Sequence, residues 1–116
     1  MHELSLLFNV IDTVESVAKE KNISKIKSIT LSVGAISAVV PRYLEEAFPA
    51  AIDGNEMFTG CKLNIEIIPA MVMCNHCNKM FDVVKHDKLC PFCNTKDDYE
   101  IETGLEFDVK EIEIDE

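Results

Sequence analysis

Four cysteines in two close pairs constrain this chain more than any other feature. They are Cys74-Asn75-His76-Cys77 and Cys90-Pro91-Phe92-Cys93, separated by the twelve residues from Asn78 to Leu89. Thiolates two residues apart can curl round one metal ion with turn amides bonded to their sulfurs. Two such turns facing each other supply a tetrahedron of sulfur, and the segment between them is long enough for a hairpin. The pattern predicts a structural zinc site at Cys74, Cys77, Cys90 and Cys93. Four sulfurs close the coordination sphere, so no position remains for a catalytic water. His76, inside the first pair, and His86 are read as exposed turn residues, because sulfur already satisfies the metal.

The alternatives for these cysteines are disulfides or a redox dithiol. The chain opens Met1-His2-Glu3, with a carboxylate where a secretory signal would carry positive charge. A cytoplasmic location with reduced thiols is therefore expected. A thioredoxin-type dithiol requires one Cys-x-x-Cys at a helix start, whereas this chain has two pairs among Pro91 and polar residues, a turn-forming context. Four thiolates around a divalent ion leave a local charge of about −2. Lys79, Lys85 and Lys88 would partly offset it.

The chain has 116 residues, of which 47% are hydrophobic, enough for one folded core plus a metal-stapled lobe. No apolar run is long enough to cross a bilayer, so a soluble protein is expected. The formal net charge is −10, and residues 97–116 hold ten carboxylates against one lysine. Nucleic-acid affinity comes largely from cationic contacts to phosphate, so this balance argues against a DNA- or RNA-binding ribbon. The acidic end reads first as a solvated sheet face.

Leu4, Leu7, Phe8, Ile11, Val14 and Ala18 recur at helical spacing and predict an amphipathic helix ending near Lys21-Asn22. From Lys25 to Gly34, Ile29, Leu31 and Val33 alternate with Ser28, Thr30 and Ser32, the period of a half-buried strand. Pro41 suits a first helical turn, and Leu44, Ala47, Phe48, Ala51 and Ile52 give that second helix its apolar face. Pro49 should bend it or end it early. Cys61, Leu63, Ile65 and Ile67 alternate in a second strand closed by Pro69, with Cys61 a buried small hydrophobe. A last strand runs from Leu105, Phe107 and Val109 to Ile112 and Ile114 with a change of phase.

The expected architecture is α+β: two helices packed on a roughly three-stranded antiparallel sheet, with an inserted four-cysteine zinc-ribbon lobe. The domain boundaries expected are 1–69 plus 105–116 for the α+β domain and 70–104 for the zinc-binding domain. The lobe is too short to build a core and should depend on its metal to fold.

The chain's start carries a second, weaker signal. With histidine as second residue and a free terminal amine, the amine nitrogen, the His2 amide nitrogen and imidazole Nδ1 can close fused chelate rings on one ion, and the Glu3 amide can complete a square plane. All-nitrogen planar coordination suits Ni(II) and Cu(II) rather than zinc.

Together these stretches resemble the hydrogenase nickel-incorporation family HypA, whose members are nickel metallochaperones. The matching residues are Met1-His2-Glu3-Leu4-Ser5, Leu31-Ser32-Val33-Gly34, Val40-Pro41, Leu44, Ala47-Phe48, Leu63-Asn64-Ile65, Pro69, Cys74, Cys77, Cys90-Pro91, Cys93 and Val109-Lys110-Glu111-Ile112-Glu113-Ile114. The resemblance implies Ni(II), carried as cargo, at Met1, His2 and Glu3, and Zn(II) at the four cysteines. It also implies a non-enzymatic role with the GTPase HypB in delivering nickel to the large subunit precursor of [NiFe]-hydrogenase, or in some organisms to urease, with no nucleic-acid or membrane partner. Monomer and homodimer both remain open. This chain departs from the family pattern at Asn94, where glycine is common and whose left-handed turn geometry asparagine also adopts, at Thr103-Gly104-Leu105, where Ser-Gly-Arg is usual, and at Pro49. Two other readings compete. A zinc-ribbon adaptor for protein or nucleic-acid interaction would need basic and aromatic residues round the ribbon, for which Lys79, Phe81 and Phe92 are the only hint. A zinc hydrolase would need an open metal position, which four cysteines deny to Asp82, Asp87, His76 and His86.

Overall fold

The computed structural model describes residues 3–114. In chain order the elements are α1 (Glu3–Glu20), β1 (Ile26–Gly34), α2 (Pro41–Ile52), a single 3-10 turn (Glu56–Phe58), β2 (Lys62–Ile68), β3 (Met71–Cys74), β4 (Met80–Asp82), β5 (Tyr99–Ile101) and β6 (Phe107–Ile114). They make an α+β protein with two three-stranded sheets, ordered β2-β1-β6 and β4-β3-β5. By compactness the chain divides into two units. One comprises Met1–Ser32, Val39–Glu66 and Asp108–Glu116, the other Val33–Ala38 and Ile67–Phe107.

In the first unit α1 packs against α2. The buried stripe of α1 is Glu3, Leu7, Val10, Ile11, Val14 and Ala18. The expected face is thus rotated: Leu4 and Phe8 are 39% and 46% exposed, and Val10 takes the inward place. With apolar residues at 4, 6, 7, 8, 10 and 11, hydrophobicity alone could not choose between adjacent stripes, and packing decides. The helix stops as foreseen. Asn22 is left-handed at φ 58°, the Ile23 N–H donates to the Ala18 carbonyl at 2.8 Å, and the Asn22 N–H donates to Lys19. This Schellman closure satisfies the last carbonyls of the helix.

Pro41 opens α2, and Leu44, Phe48 and Ala51 are its buried residues. Of the two effects expected of Pro49, an early end does not occur: the helix continues to Ile52, close to its expected limit near Asp53-Gly54. The proline lies on the exposed face close to the C-terminus, and the carbonyl it leaves unbonded, that of Glu45, belongs to another exposed residue that water can reach.

Ile26, Ile29, Leu31 and Val33 on the central strand β1 are fully buried. On β2, Leu63 and Ile65 are half-buried as the alternation requires, but the phase then changes: Ile67 is 50% exposed and Ile68 takes the inward place. Two adjacent isoleucines give the sequence no means of placing that step. The step expected on the last strand does occur, with Phe107, Val109, Ile112 and Ile114 the more buried positions of β6. Between Glu66 and Lys110 a salt bridge joins exposed side chains of β2 and β6, and Ser28 Oγ donates to Glu113. Cys61 is buried, and burial pushes its thiol up to about 11.

In the second unit β3 pairs antiparallel with β4, Val72 opposite Phe81, and antiparallel with β5, Val72 opposite Ile101. Ala70, Val72, Cys74, Phe81, Val83 and Cys90 form its buried core, with Ile36, Cys77, Cys93 and Tyr99 packed against it. The segment 33–38 is stitched into this unit by backbone bonds. The Gly34 N–H donates to Glu106 at 2.7 Å, Ala35 to Ile68 at 2.9 Å and Ile36 to Gly104 at 2.9 Å. Among the described residues no helix is long and apolar enough to cross a membrane.

Candidate metal centre

Each cysteine pair sits on a turn with the same hydrogen-bond plan. In the first, the Asn78 N–H donates to the Cys74 carbonyl at 2.9 Å and the Cys74 N–H to the Lys79 carbonyl at 3.0 Å. In the second, the Asn94 N–H donates to Cys90 at 2.9 Å and the Cys90 N–H to Thr95 at 2.9 Å. The residue after each pair must turn left-handed, and asparagine does so in both, at φ 59° for Asn78 and 62° for Asn94. The amide of the following residue then faces sulfur, so that the Lys79 N–H bonds Cys77 and the Thr95 N–H bonds Cys93. Asn75 ties the turns to the end of the unit: its side chain donates to Asp98 Oδ1 at 2.8 Å and its N–H to the Asp98 carbonyl at 3.1 Å.

Four sulfurs converge as a result. The ligand atoms of Cys74, Cys77, Cys90 and Cys93 all lie within 4.8 Å of one another. Sγ of Cys74 is 3.6 Å from that of Cys93, and Sγ of Cys77 is 3.6 Å from that of Cys90. A zinc–thiolate bond of about 2.3 Å in a tetrahedron puts its sulfurs about 3.8 Å apart. The donor set and its spacing therefore fit zinc. Cys74 and Cys90 are fully buried, Cys77 and Cys93 partly so. The two partly buried thiols are perturbed in opposite directions. Burial pushes Cys77 up to about 12, whereas the hydroxyl and then the N–H of Thr95 bring Cys93 down to about 6.

His76 and His86 are both exposed. The His86 ring packs edge-on to Phe81 with centroids 6.3 Å apart, and the four cysteines are the only group of three or more potential ligands converging among the described residues. The Lys79 ammonium lies 4.9 Å from the centre of the Phe92 ring. The hairpin between the pairs is shaped by Asp82, whose Oδ1 accepts from the Val84 and Lys85 amides at 3.0 and 3.2 Å. It closes through the left-handed Asp87 and Lys88.

Of the residues expected at the chain's start, Met1 and His2 lie outside the described residues. Glu3 is the first residue of α1 and is buried. Its Oε2 has no hydrogen-bond partner among the described residues. Sequence reasoning found all four cysteines and the turn role of Asn94, but missed Asn78 and Thr95. The repeated string Cys-x-x-Cys-Asn could have revealed the first; the second has no signal in a lone threonine.

A sulfur-lined metal ribbon and an α+β unit in one short chain define a small metal-handling protein with no open coordination position at its cysteine site. The family model described as hydrogenase/urease nickel incorporation, metallochaperone, hypA, matches residues 1–114. The chain is 31% identical over 115 residues to the hydrogenase maturation factor HybF of Salmonella typhimurium, covering 99% of this chain and 100% of that protein. It is 29% identical over 119 residues to the hydrogenase maturation factor HypA of Lawsonia intracellularis, at 99% and 100% coverage. The solution structure of the nickel metallochaperone HypA from Helicobacter pylori shares its fold, with a TM-score of 0.68, 23% identity, and coverage of 98% of this chain and 97% of that one. This chain belongs to the HypA family of hydrogenase nickel-incorporation metallochaperones.

Proposed function

We propose that this protein carries Ni(II) at its N-terminus and delivers it to the large subunit precursor of a [NiFe]-hydrogenase during maturation. The observation that carries this reading is the family match over residues 1–114, which takes in Met1-His2-Glu3 as well as the four cysteines. The Met1 amine, the backbone nitrogens of His2 and Glu3, and the His2 imidazole supply planar nitrogen coordination suited to Ni(II). Glu3, buried at the start of α1 with an unbonded carboxylate oxygen, is the residue we assign to anchoring or tuning this chelate. A chain terminus gives a receiving protein access to the ion that a closed cage would not.

Cys74, Cys77, Cys90 and Cys93 hold Zn(II), which supplies a cross-link rather than chemistry, and the protein acts as a carrier, not as an enzyme. Residues 1–69 plus 105–116 serve as the nickel-binding domain and 70–104 as the zinc-binding domain. The GTPase HypB is its partner in the cytoplasm, and neither nucleic acid nor membrane is.

Titrating the tag-free protein with Ni(II), followed by its square-planar absorption bands, tests the reading. One equivalent should bind, and His2→Ala or a residue added before Met1 should abolish that binding while zinc content and helical circular dichroism stay unchanged. One-to-one nickel binding with unaltered affinity in either variant would refute the terminal site.

A further inference from the structure

The two cysteine turns share one backbone plan, and the donors offered to their outer sulfurs differ at one place. Each has a left-handed asparagine, the same two backbone bonds, and an amide directed at its outer sulfur. The residue after the asparagine is Lys79 in the first turn and Thr95 in the second. The Lys79 ammonium is turned away over the Phe92 ring, but Thr95 Oγ1 lies 3.2 Å from Cys93 Sγ. On a metal-bound thiolate only the hydroxyl has a proton to share, so Thr95 donates and sulfur accepts. Cys93 thus accepts two hydrogen bonds from one residue, whereas Cys77 accepts one from its counterpart.

We infer that Thr95 is a positioning residue of the metal centre: its hydroxyl holds Cys93 in the ligating rotamer and spreads the charge of that thiolate. This inference rests on the assignment of Zn(II) to the four cysteines. Four thiolates on one divalent ion carry an excess charge of about −2, and a donor at a sulfur relieves it where the thiolates repel one another. Outer-shell donors of this kind are worth about tenfold to a hundredfold in metal affinity. The sulfur lone pairs at Cys93 are also lowered in energy, so the site is electronically lopsided: Cys77, with the fewest donors of the two partly exposed sulfurs, is the more nucleophilic.

Thr95→Val removes the donor at nearly constant shape, and Thr95→Ser restores it. Full-length protein, wild type and both variants, would be loaded with Zn(II) or Co(II). Zinc retention against a chromogenic chelator, the sulfur-to-cobalt charge-transfer band, and the site of first alkylation by iodoacetamide would then be read. Thr95→Val should lose about tenfold in retention and shift the band to lower energy. Attack by the alkylating agent should fall chiefly on Cys77 in wild type and extend to Cys93 in the variant, with Thr95→Ser behaving as wild type. Wild-type retention, band and alkylation pattern in Thr95→Val would overturn the role of Thr95 while leaving zinc assigned. A wild-type protein that takes up neither zinc nor cobalt stoichiometrically would instead overturn the zinc assignment, and the inference with it. If Thr95→Val fails to fold, Thr95→Ala takes its place, and equal loss in Thr95→Ser and Thr95→Ala would refute a role for the hydroxyl.

Discussion

Cys90→Ser is expected to release zinc and unfold the second unit while leaving the helices of the first in place. Cys90 is fully buried and belongs to a core of only six residues, Ala70, Val72, Cys74, Phe81, Val83 and Cys90. Such a core cannot offset the conformational entropy of the 41 residues from Ile67 to Phe107, at about 1–2 kcal/mol each for the backbone. The proposed zinc would make up the difference: apparent binding free energies of structural zinc in zinc-finger peptides run to about 10–16 kcal/mol. Serine keeps the shape of the turn but is a poor zinc ligand, so three thiolates would be left crowded round an unsaturated ion. Zinc content should fall from one equivalent to well below it, and the amides of β3, β4 and β5 should exchange freely. The circular dichroism of α1 and α2 should persist. Cys61→Ala is the control, since Cys61 is buried outside the cluster and its loss should leave zinc untouched. A zinc-free Cys90→Ser protein with protected β3 amides would show that the unit does not need its metal.

How much of this was legible beforehand differs from one feature to the next, for physical reasons. The cysteine site was fully legible, because ligand type and spacing are local and two residues between thiolates leave few geometries. Its supporting asparagines were half legible: left-handed geometry is a property of the residue itself, yet only Asn94 drew notice. Thr95 was not legible, since its importance lies in a 3.2 Å approach to a sulfur that only the folded turn creates. Among the elements, the C-terminal end of α1 and the phase step of β6 followed from local chemistry. The rotation of the α1 stripe and the step at Ile67-Ile68 did not. Each of these depends on which neighbour covers which face, and a run of apolar residues offers several answers that only packing separates. The strand β5, three residues long, draws its partner from far along the chain, Cys74 facing Tyr99, and no short-range pattern encodes such a pairing.

Gly34→Ala is the substitution expected to damage stability most per atom added. Gly34 was read from the sequence only as the end of a strand. In the structure a Cβ built there would stand 1.9 Å from the Gly104 carbonyl oxygen, 2.1 Å from its carbon and 2.6 Å from the Leu105 nitrogen. All three are backbone atoms, so no side chain can swing aside to relieve the clash; the two backbone segments themselves must part. Parting them strains the bonds from Gly34 to Glu106 and from Ile36 to Gly104, which hold the segment 33–38 in the second unit. Overpacking against yielding side chains costs about 1–3 kcal/mol, and against backbone the loss should reach about 3 kcal/mol or more. Gly54 and Gly60 calibrate the effect. Both have φ +76° with nothing within 4 Å of the added carbon, so alanine there should cost only the left-handed penalty of about 1–2 kcal/mol. Gly104→Ala combines both terms, with φ +117° and the Ala70 Cα at 2.7 Å, and should fall beside Gly34→Ala. Urea unfolding of the four variants, followed through amide protection of the unit that carries each glycine, should place the 34 and 104 substitutions well below the 54 and 60 pair. Equal stability across all four would mean that the two glycines do not approach so closely, and that the close backbone seam between residues 34 and 104 does not exist in solution.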